Sequence, residues 1–566
     1  MISEISTNLV SQRLERIYGK QTAPGILCAI EELLERYAGA IPPRGGGWSQ
    51  ADAMLITYAD TITGRAAPLP TLHRFLRERV GTLVSFVHLL PFYPFTSDDG
   101  FSVTDFRAVR ADLGTWADIE AMAEDYRIVF DGVVNHVSAS SGYMEGYCSG
   151  DPRYRDFFLA IDPATDTSSV LRTRNLPLLH DYATSEGVKW LWTTFSRDQV
   201  DLNFGNPQVL VEILDVLLFY ASRGASIIRL DAIPYLWKQL GTSCAHLPQT
   251  HELIKLMRDV LTAAAPHLLL LTETNVPHRD NIRYFGEGGD EAQMIYNFSL
   301  PPLIVWSLLK GDARVLSQWA AGLESVGDGA TYLNITATHD GIGMRPTEGI
   351  LTEPQRAELV ALARERGGDV TGKRNADGSI SPYELNLSYF DAINDPRADA
   401  GVEVELARYL LSQAIPMALM GIPGVYIHSL LGSRNDLEGV RRTGRARSIN
   451  RQQLDLDTLS AELADPESLR ARVLAGYAHL LRTRAGESAF HPGARQEVPD
   501  FGPAVFAILR TSREGDRRVL ALHNVSGGSV EITLPWAGRD LLDGTGHPAG
   551  HHRLAPYQVR WIASGK

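Results

Sequence analysis

Short apolar runs, each ended by a charged or polar cluster and separated from the next by a helical stretch, constrain this chain more than any other feature. Residues 127–130 lead into Asp131-Gly-Val-Val-Asn135-His136, and residues 225–228 lead into Arg229-Leu-Asp231. Residues 268–271 lead into Glu273, and residues 333–338 lead into His339-Asp340. Apolar runs of this length, alternating with helical patterns, read as parallel strands buried on both faces. The repetition predicts an α/β fold, a (β/α)₈ TIM barrel, in which residues at strand C-termini gather at one mouth. Three carboxylates (Asp231, Glu273, Asp340), two histidines and an arginine then share one pocket.

At 566 residues the chain exceeds one ordinary domain, but a barrel with insertions accommodates most of it. A formal charge of −13 argues against nucleic acid or an anionic membrane as principal partner. A small anionic substrate stays open, because a few local arginines override a negative global field. The three cysteines (Cys28, Cys148, Cys244) are scattered without metal-ligand spacing and read as reduced thiols. The first residues lack the basic and apolar regions of a signal peptide, and no run of about eighteen apolar residues occurs. These features predict a soluble cytoplasmic protein.

Residues 1–47 read as a helical N-terminal extension, with Leu9, Val10, Leu14 and Ile17, then Ile30, Leu33 and Leu34, at helical spacing. Pro42-Pro43-Arg-Gly-Gly-Gly47 marks a linker. Residues 48–136 and 204–487 are assigned to the barrel, with first strands at 54–58 and 84–90 and the closing strand within 416–427. The stretch 137–203 is too long for a plain connection and is read as a lobe inserted over the mouth. A second insertion covers 341–395. Alternating segments at 504–509, 519–523 and 530–534 predict an antiparallel β domain over 488–566.

A retaining glycosidase-type reaction needs a carboxylate nucleophile and a carboxylic acid flanking the scissile bond. Asp231 suits the first role, with Arg229 on the same strand face expected to keep it ionised. Glu273 follows an apolar run whose desolvation suits it to acid/base work. Asp340 would favour a cationic transition state electrostatically. His136 and His339 would hydrogen-bond the same sugar.

The ordered clusters resemble the signature regions of the α-amylase superfamily, glycoside hydrolase family thirteen. Further segments narrow the resemblance to its sucrose phosphorylase branch: 90–105, with Asp98-Asp-Gly-Phe101, then Gly241-Thr-Ser-Cys244, 338–343, and 444–451, with Arg447-Ser-Ile-Asn450-Arg451. The resemblance covers roughly residues 50–566. It implies a double displacement in which Asp231 is the nucleophile, Glu273 the acid/base and Asp340 the transition-state stabiliser. By the same resemblance Asp98 and Arg447 pair at the far edge of glucose, and Phe101, His136, Arg229 and His339 line that subsite. It implies phosphate as the attacking co-substrate, no cofactor and no metal.

Phosphate recognition calls for cations, and Arg172, Arg174 and Arg345 are the candidates. Arg345, Thr347 and Glu348 in the loop after Asp340, with Tyr383 and Glu384 further on, set the chain apart from typical sucrose phosphorylases. Together with the helical extension they are more similar to the longer glucosylglycerate phosphorylase group. Glycerate brings a carboxylate that Arg345 could hold bidentately. The expected substrate is therefore 2-O-α-glucosyl-glycerate, with sucrose, sucrose 6′-phosphate and glucosylglycerol as alternatives, and hydrolysis or transglucosylation as competing outcomes.

Overall fold

The computed structural model describes residues 4–375 and 377–564. Eight parallel strands close a barrel: β1 (Met54–Thr57), β2 (Phe86–Leu89), β3 (Arg127–Gly132), β4 (Ala225–Leu230), β5 (Leu269–Thr272), β6 (Met294–Tyr296), β7 (Thr331–Ile335) and β8 (Ile422–Tyr426). Neighbours in the chain are neighbours in the barrel, and β8 closes onto β1. The strands are continuous apolar runs because helices cover their outer face while side chains fill the inside.

Register fixes what reaches the mouth. Asp131 on β3 pairs with Arg229 on β4, and Leu230 pairs with Thr272 on β5. Asp231 N–H donates to Gly132 O at 3.1 Å and Glu273 N–H to Leu230 O at 3.0 Å. Each ladder thus runs one residue past its strand, leaving Asp231 and Glu273 side by side on the rim.

The extension folds as α1 (Glu4–Tyr18) and α2 (Ala23–Tyr37). Leu14 is fully buried, a gain of roughly 2 kcal/mol, whereas Leu9, expected on the packed face, is exposed. Arg13 donates to Asp259 at 2.5 Å on an outer barrel helix (Pro248–Ala264), and Tyr37 OH to Asp215 at 2.9 Å on another (Pro207–Ser222). The Tyr18 ring lies 6.2 Å from that of Trp237, six residues beyond Asp231.

The closing strand is shorter than its sequence suggests. Residues 416–418 finish a helix (Val402–Ala418) in which Pro416 is accommodated, and β8 begins only at Ile422. The stretch 137–203 contains a ribbon (Leu179–Thr184 with Gly187–Trp192) and a short helix (Gly142–Ser149). Within 341–395 a helix (Glu353–Glu365) precedes a hairpin (Asp369–Arg374 with Ile380–Asn386). The C-terminal region forms a six-stranded antiparallel sheet and a two-stranded one. No helix among the described residues is long and apolar enough to cross a membrane.

Candidate active site

A cleft at the C-terminal mouth is lined by Asp231, Glu273 and Asp340 together with Asp98, Phe101, His136, His339 and Arg447. Arg229 sits beneath it. Its Nη1 bonds Asp231 Oδ1 at 2.9 Å and also contacts Asp131 Oδ1. Asp131 in turn accepts from His88 Nε2 at 2.8 Å and, through its carbonyl, from Tyr93 OH at 3.0 Å. Burial pushes the Asp131 carboxyl up, but Arg229 and His88 together bring it below the usual range.

Sharing Arg229 in this way changes the expectation for Asp231. Burial raises its carboxyl above the ordinary range even with Arg229 in contact, and the charges of Asp131 and Asp340 add to the rise. Burial raises Glu273 in the same manner. Two close carboxyls that both resist ionisation titrate as a pair. Asp231 accepts a guanidinium bond from Arg229, whereas the Glu273 carboxylate accepts a backbone N–H from Ala232 at 3.2 Å, so the ionised form is favoured more strongly at Asp231 than at Glu273. Asp340 behaves oppositely: burial would raise it, but the Arg447 guanidinium at 2.6 Å, with Arg451, overrides burial and holds it well below the usual carboxylate range.

Burial keeps both histidines neutral, His339 pushed down to about 3. The His339 ring stacks on Phe101, centroids 5.1 Å apart at 6°. His136 Nε2 lies 2.9 Å from Phe101 O and Nδ1 lies 3.3 Å from Asn135 Nδ2, which assigns the ring proton to Nε2. Asp98 accepts from Gln199 Nε2 at 3.1 Å, and the charges of Arg447, Arg174 and Arg451 outweigh burial to hold it low. Asp98 and its neighbour Asp99 both adopt left-handed backbone, φ 53° and 49°, which costs each about 1–2 kcal/mol.

Asp98 and Arg447 both line the cleft. Arg447 makes its direct contacts with Asp340 and, bidentately at 3.1 Å, with Glu384. Four other positions differ from the sequence expectation. Glu384 is thus a buried brace, also accepting Gly341 N–H at 2.8 Å, and not a wall of the acceptor region. Thr347 is buried and donates to Met344 O at 2.6 Å. Glu348 faces Lys373 and Arg356 at 3.7 and 3.8 Å. Arg172 turns back to bond Leu176 O. None of these four lines the cleft, because loop side chains follow the packing of their own loop.

Arg174 and Tyr383 do line it. The Arg174 guanidinium lies over the rings of Tyr383 and Phe195, at 5.3 and 5.7 Å, with Nη1 buried and unpartnered. Arg345 is buried close to Tyr235, a cleft residue, and its Nε and Nη1 are likewise unpartnered. Phe195, Gln199, Ala232, Pro234, Tyr235 and Asn275 complete the lining and were not anticipated. The legible signal for three of them was proximity to Asp231 along the chain.

The α-amylase catalytic-domain family matches residues 81–321. A glucosylglycerate phosphorylase from Allomeiothermus silvanus is 47% identical over 554 residues, 98% of this chain and 98% of its own. One from Spirochaeta thermophila is 44% identical, covering 92% of this chain and 90% of its own. Among solved structures, sucrose 6F-phosphate phosphorylase from Thermoanaerobacter thermosaccharolyticum matches with a TM-score of 0.73 at 25% identity, over 84% of this chain and 94% of that one. The chain belongs to the sucrose phosphorylase branch of the α-amylase superfamily and within it is most like the glucosylglycerate phosphorylase group.

Proposed function

We propose that the protein is a retaining glucoside phosphorylase that converts 2-O-α-glucosyl-glycerate and phosphate to α-D-glucose 1-phosphate and D-glycerate, reversibly. Asp231 attacks the anomeric carbon while Glu273 gives its proton to the departing glycerate oxygen. The glucosyl ester on Asp231 is then attacked by a phosphate oxygen, whose proton returns to Glu273, and two inversions leave the α configuration. Asp340, held ionised by Arg447, faces the positive charge that develops on the ring in each step. Phe101, stacked on His339, is a wall for the sugar, and Asp98 takes its far edge.

One observation carries the choice of an anionic acceptor. Arg174, half-buried in the cleft lining, and Arg345, buried beside the cleft residue Tyr235, have enclosed guanidinium nitrogens with no hydrogen-bond partner among the described residues. An unpaired buried cation is costly, and phosphate and glycerate both supply the missing charge in a form that guanidinium binds well. Free thiols at Cys28, Cys148 and Cys244 suit a cytoplasmic setting.

The test runs the reaction backwards from glucose 1-phosphate with glycerate, glycerol, fructose and fructose 6-phosphate as acceptors. Glycerate is expected to be used best, with phosphate released stoichiometrically. Preference for fructose or glycerol would overturn the acceptor assignment, and release of free glucose alone would make the protein a hydrolase. Arg345→Ala is expected to raise the KM for glycerate at least ~10-fold more than that for phosphate. Equal losses would move Arg345 to the phosphate.

A further inference from the structure

Two residues outside the cleft link carboxylates inside it. The backbone at Asp98 and Asp99 is left-handed twice in succession, and at Gly100 (φ 111°) a Cβ would stand 2.8 Å from Pro91. A turn this unfavourable persists only where its surroundings enforce it. The enforcing contacts fall on the Asp99 carboxylate, whose Oδ1 accepts from Arg445 Nη1 at 2.7 Å and whose Oδ2 accepts from Arg451 Nη1 at 2.5 Å. The same Arg451 donates through Nε to His339 O at 2.8 Å and reaches Asp340 Oδ1 with Nη2 at 3.5 Å. Its side chain is 7% exposed. Neither Asp99 nor Arg451 borders the cleft; both face a separate hollow behind it, beside Tyr58.

One rigid planar group therefore spans two loops, one presenting Asp98 and the other presenting Asp340. We propose that Asp99 and Arg451 are positioning residues that set the place of Asp98 relative to Asp340, which Arg447 already holds at 2.6 Å, so that glucose is held by both carboxylates at once. This rests on the reading that a glucosyl ring occupies the cleft with its far edge at Asp98. The fork geometry matters: a lysine at 451 offers one point charge and cannot serve Asp99, the His339 carbonyl and Asp340 together. Arg445 is half exposed and touches only the Asp99 side, so it steadies the turn without linking the two loops.

The experiment compares α-glucosyl fluoride with its 4-deoxy analogue, which lacks a hydroxyl on the far edge, in Asp98→Asn, Asp99→Asn and Arg451→Lys. Displacing a binding group by about 1 Å costs on the order of 100-fold. Asp99→Asn and Arg451→Lys are expected to lose about that much kcat/KM on glucosyl fluoride and less than ~5-fold on the analogue. They would thus erase the enzyme's discrimination between the two, as is expected of Asp98→Asn. A merely structural role would lower both substrates equally, and that result overturns the proposal. If Asp98→Asn abolishes discrimination and the other two variants keep it, the linkage fails while the placement of glucose stands. If Asp98→Asn itself keeps discrimination, the placement of glucose fails. Arg451→Lys retains charge and bulk, so it remains informative if Asp99→Asn folds poorly. The double variant is expected to be no worse than either single one.

Discussion

The two ends of the barrel use buried arginine in opposite ways. At the C-terminal mouth Arg229, Arg447 and Arg451 each face carboxylates, which outweigh burial and raise the guanidinium further above its ordinary value. At the other end Arg484 and Arg510 are as deeply buried but bond only to backbone carbonyls. Arg484 donates to Asp52 O, Met417 O, Gly421 O and Phe490 O at 3.0–3.3 Å, joining the approaches to β1 and β8 where the barrel closes. Arg510, on a C-terminal strand (Val505–Thr511), donates to Ala418 O, His491 O and Ala494 O. Burial lowers both, Arg484 to about 10 and Arg510 to about 9, still charged at neutral pH. Carbonyls satisfy a guanidinium without having a charge to share, so this end gains rigidity and no reactivity. The upper end crowds four carboxylates around one narrow cleft, which is useful for catalysis and unfavourable for stability.

The sharpest way to break that contrast is Asp231→Asn. Activity on any glucoside is expected to fall about 10⁴-fold or more, with thermal stability unchanged or raised, because a repelled carboxylate is gone. A large drop in melting temperature would show that the mouth too is built for stability. Arg484→Met is the mirror image. Its orphaned carbonyls are expected to cost about 3–5 kcal/mol in urea unfolding, with kcat/KM per folded molecule unaltered. A stable Arg484→Met protein would remove the structural role assigned to that end.

The smallest effect concerns pH. Asp231 and Glu273 bind protons more tightly when folded than when unfolded. Their contribution to stability is therefore complete below the ordinary carboxylate values and is lost as pH rises through the raised folded values. Glu273→Gln removes one such group and is expected to flatten the fall by up to about 1.4 kcal/mol per pH unit in that window. Parallel wild-type and variant curves would mean that Glu273 is unperturbed. The same variant should keep turnover of glucosyl fluoride, whose leaving group needs little protonation, while losing that of glucosylglycerate.

The barrel was legible because eight strands buried on both faces leave unbroken apolar runs, and register then dictates which residue follows each run. Asp231 and Glu273 were placed by that logic alone. What the sequence withheld lies in the loops. Glu384 and Arg172 have the right chemistry for an acceptor site, but one is drawn behind Arg447 and the other curls onto Leu176. Phe195 and Gln199 have no pattern to betray them. Asp131 was visible as part of a cluster, yet its hold on Arg229, the cation that also bonds Asp231, is a three-dimensional fact. Pro416 misled for a local reason, a proline tolerated in the final turn of a helix.

The contact between Tyr18 and Trp237 has a practical side. A ring on the first helix abuts the segment that continues from Pro234 and Tyr235, both of which wall the reaction chamber. Trimming that helix, or anchoring the enzyme to a support through it, would thus disturb the packing behind that wall. Handles for immobilisation belong elsewhere on the molecule.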